Sequence, residues 1–86
     1  MNILYTRQFI RSFSRLPKNI QEIYRIKEKI FKENPSHPLL GVHKIKELNC
    51  YSFVVTYKIR VIFKFKNNDA VFINIGDHSI YRKGSK

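Results

Sequence analysis

The sequence predicts an α+β domain in which a short N-terminal strand and a helical hairpin pack on a three- to four-stranded antiparallel sheet. Apolar residues recur at helical spacing as far as Phe31, whereas segments rich in β-branched and aromatic residues follow from residue 42. With 86 residues, the chain is expected to form one domain, 1–86, around one modest core. A hydrophobic fraction of 43% suffices for that core and argues against disorder.

The first part of the chain is interpreted as a strand followed by two basic helices. Residues 1–5 are typical of an edge strand, and Thr6 is a plausible helix N-cap. The first helix is expected to bury Phe9, Ile10, Phe13 and Leu16, with Arg7, Arg11 and Arg15 opposite. Pro17 fits the first turn of the second helix, which should end near Asn34 because Pro35 follows. Its predicted buried stripe comprises Ile20, Ile23, Tyr24, Lys27, Ile30 and Phe31.

The second part of the chain is interpreted as antiparallel strands. Strands are predicted over residues 42–46 and 51–56, and residues 60–66 alternate most cleanly. In this last segment Val61, Phe63 and Phe65 should point to the core, and Arg60, Ile62, Lys64 and Lys66 the other way. A turn at residues 67–69 should pair it with a final strand over 70–75. The helices then cover one sheet face, and Arg60 and the residues after the last strand lie near the other.

The charge balance indicates an anionic partner. Lys and Arg number 17 against 6 Asp and Glu, a formal net charge of +11. Nucleic acid is the first expectation, with an acidic protein or a membrane surface behind it and a merely solubilising surface as the alternative. The single cysteine, Cys50, and three histidines without ligand spacing predict neither a disulfide, a metal site nor a cofactor. Cations interrupt the N-terminal segment, so no leader or membrane span is expected and the predicted location is cytoplasmic.

Several residues have side chains suited to chemistry at an RNA phosphate. Cleavage by the ribose 2′-hydroxyl needs a base, a cation at the phosphate and an acid for the departing 5′-oxygen. Arg60 is the candidate cation, with a structural ion pair as the alternative. His78 and Tyr81, three positions apart beyond the last strand, are candidates for proton transfer, or else a cap and a core-edge ring. His43 is a candidate base or an exposed strand histidine.

Cations near these residues are candidate RNA contacts. They are Lys44, Lys46, Lys58, Arg82 and Lys83. The competing interpretation for Lys44 and Lys46 is a solvated strand edge, where lysine discourages aggregation.

Three segments in this order resemble the RelE/ParE superfamily of small bacterial toxins, particularly the RelE-like and YafQ-like mRNA interferases. Residues 39–46 read Leu-Leu-Gly-Val-His-Lys-Ile-Lys, residues 60–63 Arg-Val-Ile-Phe, and residues 75–81 Ile-Gly-Asp-His-Ser-Ile-Tyr. The resemblance implies an endoribonuclease that cuts mRNA in the ribosomal A site and so inhibits translation. It also implies a cognate acidic antitoxin, and a toxin-antitoxin complex that binds operator DNA through the antitoxin.

The resemblance also assigns roles to individual residues. It implies that Arg60 stabilises the scissile phosphate and that Tyr81 corresponds to the terminal tyrosine of RelE-like members. His43 and His78 match histidines of YafQ-like members, and Lys44 and Lys46 match basic residues that RelE-like members use on RNA.

The sequence departs from these patterns at several positions. Val54 and Lys58 stand where some YafQ-like proteins have a further His and Asp, Glu47 replaces a frequent Gly, and Ser79 replaces a common Asp. The general base therefore stays open. So do two alternatives for function: a ParE-like toxin that binds gyrase, and a catalytically degenerate module that binds only the antitoxin.

Overall fold

A computed structural model describes residues 1–81 as two helices and five strands, which confirms the α+β prediction. The elements are β1 (Ile3–Tyr5), α1 (Arg7–Ser14), α2 (Lys18–Glu33), β2 (His43–Ile45), β3 (Cys50–Val54), β4 (Arg60–Lys66) and β5 (Asp69–Gly76). Short 3₁₀ turns occupy Pro38–Leu40, Lys46–Leu48 and His78–Tyr81. The predicted RNA contacts Arg82 and Lys83 lie outside the described residues. Neither α1 nor α2 is long and apolar enough to cross a membrane.

The strands form one mixed sheet in the order β1-β5-β4-β3-β2. Strands β2 to β5 pair antiparallel, as predicted, whereas β1 pairs parallel to β5, with Ile3 opposite Ala70. The sheet is therefore one strand larger than the antiparallel sheet predicted, because the N-terminal edge strand joins it. The residues of β1 carry no local signal for this direction, which is defined by the pairing with β5.

The predicted helix ends are confirmed. The Thr6 hydroxyl accepts a hydrogen bond from the Phe9 amide at 3.0 Å and donates one to the Ile73 carbonyl at 2.7 Å, which caps α1 and ties it to β5. Pro17 immediately precedes α2. The helix ends before Asn34, whose backbone is extended as expected for a residue that precedes proline.

An aromatic core lies between the helices and the sheet. The ring of Phe31 on α2 lies 5.0 Å from that of Phe63, 5.1 Å from that of Phe72 and 5.4 Å from that of Phe53. All four side chains are fully buried. The Lys27 stem is half-buried, and its Nζ donates to the Leu39 carbonyl at 3.1 Å. These contacts fix the helical hairpin on one face of the sheet.

Three side chains differ in burial from the sequence prediction. Ile10 is 56% exposed, because the hairpin covers only the Phe9 side of α1. Phe65 is 47% exposed, since it lies near the turn end of β4. Ile62 is 3% exposed although it points away from the helices. It lies between Ser52 and Asn74 of the flanking strands, which shield it in the middle of the sheet.

Candidate active site

An open cleft of about 750 Å³ lies where β4 begins and β5 ends. It is lined by Tyr57, Lys58, Arg60, Asp77, His78, Ser79 and Tyr81. The structure thus brings together four of the residues predicted from the sequence: Lys58, Arg60, His78 and Tyr81. They come from a hairpin tip, a strand start and the turn after the last strand.

Arg60 reaches the cleft because of its position on β4. It is the first residue of the strand and pairs with Val54 of β3 and Gly76 of β5. The next residue, Val61, is fully buried on the helix-covered face, so alternation directs Arg60 to the opposite face. Its side chain is half-buried. Gly76 has no side chain to crowd the guanidinium.

The turn that carries His78 and Tyr81 is capped by Asp77. Oδ1 of Asp77 accepts hydrogen bonds from the Ser79 amide at 2.9 Å and the Ser79 hydroxyl at 2.7 Å. These two bonds hold the pKa of the Asp77 carboxyl below its usual value. A Cβ at Gly76 would lie 2.7 Å from Cγ2 of Ile80, so glycine is required where the turn folds back on the strand end.

Tyr81 and His78 face each other, with ring centroids 5.3 Å apart and planes at 61°. The Tyr81 hydroxyl is buried and has no hydrogen-bond partner among residues 1–81. A buried hydroxyl without a partner costs about 1–3 kcal/mol. The hydrogen bonds of this hydroxyl are therefore not completed within residues 1–81.

The electrostatics of the cleft favour an anion. Lys58 and Arg60 supply two cations, and Asp77 is the one carboxylate among the described lining residues. The hydrogen bonds of Asp77 run to Ser79 rather than to Arg60. Among residues 1–81, these contacts give no support to the ion-pair alternative for Arg60, and its binding of a phosphate stays a prediction.

His43 lies outside the cleft, on edge strand β2. It pairs with Ser52 of β3, and Ser52 pairs with Ile62 of β4, so two strand spacings, roughly 10 Å, separate it from β4. Its Nε2 is 3.5 Å from the hydroxyl of Ser52, which is fully buried. His43 shares the helix-free face with Arg60, but its role as a base stays a prediction.

Lys44 and Lys46 also lie apart from the cleft. Lys44 pairs with Tyr51, whose ring stacks on the core residue Phe63 at 5.7 Å, so Lys44 points to the helix side of β2. Lys46 begins the turn after β2. Both are exposed. Their contacts with RNA stay predictions.

Sequence reasoning missed Tyr57 as a site residue. It lies in the β3–β4 connection, lines the cleft, and is 89% exposed. The available signal was an aromatic residue next to Lys58 in a segment without turn residues. Asp77 and Ser79 were likewise not predicted to build the site.

The described residues contain neither a cluster suited to a metal ion nor an exposed thiol. Among residues 1–81, no three His, Cys, Asp or Glu side chains lie close enough to share a metal ion. Cys50 is buried, and burial raises the pKa of its thiol.

Comparisons with known proteins match the chain at the level of structure. No protein-family model and no curated protein sequence matches it. A YoeB/ParE toxin from Agrobacterium tumefaciens superposes with a TM-score of 0.76 at 15% identity, over 91% of this chain and 99% of that one. The RelB-RelE antitoxin-toxin complex from Methanococcus jannaschii gives a TM-score of 0.74 at 18% identity, over 91% of this chain and 94% of that one. YafQ from E. coli gives a TM-score of 0.69 at 16% identity, over 92% of this chain and 94% of that one.

The chain therefore has the fold of RelE/ParE-superfamily toxins. The resemblance predicted from residues 39–46, 60–63 and 75–81 is confirmed in the fold, which the solved structures share over nearly their whole length. Because one fold serves several activities, what this chain does has to be argued from its cleft.

Proposed function

We propose that this protein is the toxin of a type II toxin-antitoxin pair and acts as a ribosome-dependent mRNA endonuclease in the cytoplasm. The observation that carries the proposal is the cleft in which Arg60, Lys58, His78 and Tyr81 meet. Those side chains supply two cations and two groups able to transfer protons, on a chain with a formal net charge of +11. The solved toxins of the same fold support the toxin role.

The proposed reaction is attack of a ribose 2′-hydroxyl on the adjacent phosphorus. The new P–O bond forms as the bond to the 5′-oxygen breaks, which leaves a 2′,3′-cyclic phosphate and a 5′-hydroxyl. Arg60 stabilises the charge that builds on the phosphate oxygens. Tyr81 or His78 donates the proton that the departing 5′-oxygen needs. The base that accepts the 2′-hydroxyl proton stays open, with His78 in the cleft and His43 about two strands away.

We further propose that an acidic antitoxin segment inhibits the protein by covering this cleft. The solved RelB-RelE pair is a complex of toxin and antitoxin, which supports such a partner. Opposite charge should make binding weaken as salt is raised. The antitoxin would also carry the complex to operator DNA. Hydrogen exchange that leaves His78 and Tyr81 unprotected in the complex would show that inhibition does not depend on covering the cleft.

The test is to add the purified protein to a defined translation reaction and map the mRNA ends, with and without ribosomes. The proposal expects cuts only with ribosomes, with 5′-hydroxyl and cyclic-phosphate ends, and none with Arg60→Ala. Inhibition of gyrase without mRNA cuts would instead identify a ParE-like toxin. If the protein neither cuts mRNA nor inhibits gyrase but binds the antitoxin tightly, it is a degenerate module.

A further inference from the structure

The tip of the β3–β4 hairpin presents an aromatic side chain that the proposed reaction does not use. Tyr57 is 89% exposed, more than any other large hydrophobic side chain among the described residues. It lines the same cleft as Lys58 and Arg60. A single exposed aromatic ring is ordinary on a protein surface. What distinguishes Tyr57 is that its ring lies at the cleft beside two cations.

The loop that carries Tyr57 is well ordered by hydrogen bonds. The Val55 amide donates to the Ile59 carbonyl at 2.8 Å, and the Thr56 amide donates to the same oxygen at 3.1 Å. The Thr56 hydroxyl accepts from the amides of Lys58 at 3.3 Å and Ile59 at 3.1 Å. These bonds close the turn around Tyr57. The ring is therefore exposed on a preorganised tip, so less entropy is lost when it binds a ligand.

We propose that Tyr57 is a stacking platform for an unpaired base of the mRNA, in a nucleotide neighbouring the scissile phosphate. This inference rests on the proposed function and deepens it by adding a base-binding position to the cleft. Single-stranded RNA is recognised by aromatic stacking of unstacked bases beside cations that hold the backbone. Tyr57 offers the ring, and Lys58 and Arg60 offer cations that line the same cleft.

The surroundings of Tyr57 favour RNA over a protein partner. The cores of protein interfaces combine aromatic anchors with few Lys, Asp or Glu residues. The side chains that line the cleft with Tyr57 are polar or charged except for the ring of Tyr81, and two of them are cations. A partner with alternating flat bases and phosphates matches that arrangement.

The test measures binding to bacterial ribosomes programmed with a short mRNA. The A-site codon carries 2′-O-methyl sugars, which block attack, and one 2-aminopurine, whose fluorescence is quenched by stacking. Wild-type protein and Tyr57→Phe should bind alike and quench alike, because both keep the ring. Tyr57→Leu keeps an apolar side chain without a π-face, and it should bind roughly 5- to 100-fold more weakly.

Two matched controls isolate the stacking. Phe65→Leu makes the same class of change at an exposed ring outside the cleft, and it should leave binding unchanged. An mRNA with an abasic site at the quenched position should bind wild type and Tyr57→Leu equally. Circular dichroism should show Tyr57→Leu and Phe65→Leu folded, since both side chains are exposed.

Four outcomes decide the proposal. Stacking is supported if Tyr57→Leu binds the mRNA more weakly than wild type and Phe65→Leu do, and if this difference disappears on the abasic mRNA. Unchanged affinity and quenching in Tyr57→Leu, while Arg60→Ala weakens binding, overturns stacking and leaves the proposed function standing. Loss of antitoxin binding in Tyr57→Leu with mRNA binding intact overturns stacking in favour of a protein anchor. Absence of wild-type binding to the programmed ribosome overturns the proposed function and the stacking proposal together.

Discussion

Tyrosine hydroxyls differ in their hydrogen bonding between the helix side of the molecule and the cleft. On the helix side, the hydroxyls of Tyr5 and Tyr24 both donate to Oε2 of Glu28, the latter at 2.9 Å. Burial, aided by Glu28, raises the pKa of Tyr5 to about 12 and also raises that of Tyr24. At the cleft, the Tyr81 hydroxyl is buried and has no partner among residues 1–81.

The difference is that the fold completes the hydrogen bonds of Tyr5 and Tyr24, whereas the Tyr81 hydroxyl has no partner among residues 1–81. Glu28 is one of only 6 acidic residues, and it serves a pair of tyrosines that joins β1 to α2. Phenols with raised pKa values stay protonated and hydrogen-bonded, which suits a structural role. For Tyr81, which lies beside His78 at the cleft, we propose a role in the reaction instead.

Removing the cleft cation should have the largest effect. Arg60→Ala is expected to lower single-turnover cleavage of ribosome-bound mRNA roughly 10³-fold, because it removes the charge that stabilises the phosphate. Arg60→Lys should recover only part of the rate, since it loses bidentate geometry. Lys64→Ala, on the same strand but outside the cleft, is the control and should cleave normally. If Arg60→Ala unfolds in a thermal melt, the arginine is structural and the assignment fails.

The two kinds of tyrosine should separate rate from stability. Tyr81→Phe is expected to lower cleavage roughly 10²-fold with little change in unfolding free energy, if Tyr81 is the acid. Tyr24→Phe should cleave normally and lose about 1 kcal/mol of stability with its bond to Glu28. The measurements are single-turnover rates and urea unfolding.

The histidines complete that test. If His78 is the acid, His78→Ala takes the large loss instead of Tyr81→Phe, and one limb of the pH–rate profile flattens. His43→Ala should be milder, given its separation from the cleft. Near-wild-type rates for His78→Ala, Tyr81→Phe and His43→Ala would remove the catalytic assignment altogether.

Moving the turn should have an intermediate effect. Gly76→Ala places a Cβ 2.7 Å from Cγ2 of Ile80, so the turn that carries His78 and Tyr81 must shift. We expect cleavage to fall roughly 10-fold, because misplacement of about 1 Å can cost up to 10². In an Ile80→Ala background, which removes Cγ2, Gly76→Ala should cost less. Equal losses in the two backgrounds would show that the clash is not the cause.

The Asp77 cap should give a pH effect confined to acid. Its hydrogen bonds with Ser79 favour the carboxylate and lower its pKa from the usual 3.8, so the cap is intact above that pH. Its contribution disappears as pH falls through the lowered pKa, where the carboxylate gains a proton. The carboxyl resonance of Asp77 in NMR should titrate below 3.8, and Ser79→Ala should move the midpoint upward. A wild-type midpoint at or above 3.8 would contradict the cap.

The smallest effect belongs to the helix-side tyrosines in alkali. Because the pKa of Tyr5 is about 12 in the folded protein against 10.0 for a free phenol, the unfolded chain loses this proton first. The contribution of Tyr5 to stability is therefore complete below pH 10 and lost as pH rises toward 12. Phenolate absorbance should show the late titration. Glu28→Gln should lower the pKa of Tyr5 only part of the way toward 10.0, since burial is the larger cause. An unchanged pKa would contradict the hydrogen bond between Tyr5 and Glu28.

Much of the fold was predictable from local patterns. The Thr6 cap, the end of α2 before Asn34 and the hairpin turn after Lys66 follow from preferences of neighbouring residues for particular backbone shapes. Arg60, His78 and Tyr81 could be selected as a set because residues of these types at strand ends are chemically specific. Their meeting in one cleft followed from the predicted pairing of the last two strands.

Only the tertiary structure decided the rest. The parallel direction of β1, the exposure of Ile10 and the burial of Ile62 depend on which elements lie over each residue, which periodicity does not encode. The separation of His43 from the cleft depends on the order of strands across the sheet. Tyr57 enters the cleft because the pairing of β3, β4 and β5 brings the β3–β4 turn beside the turn after β5, a contact between residues far apart in the sequence.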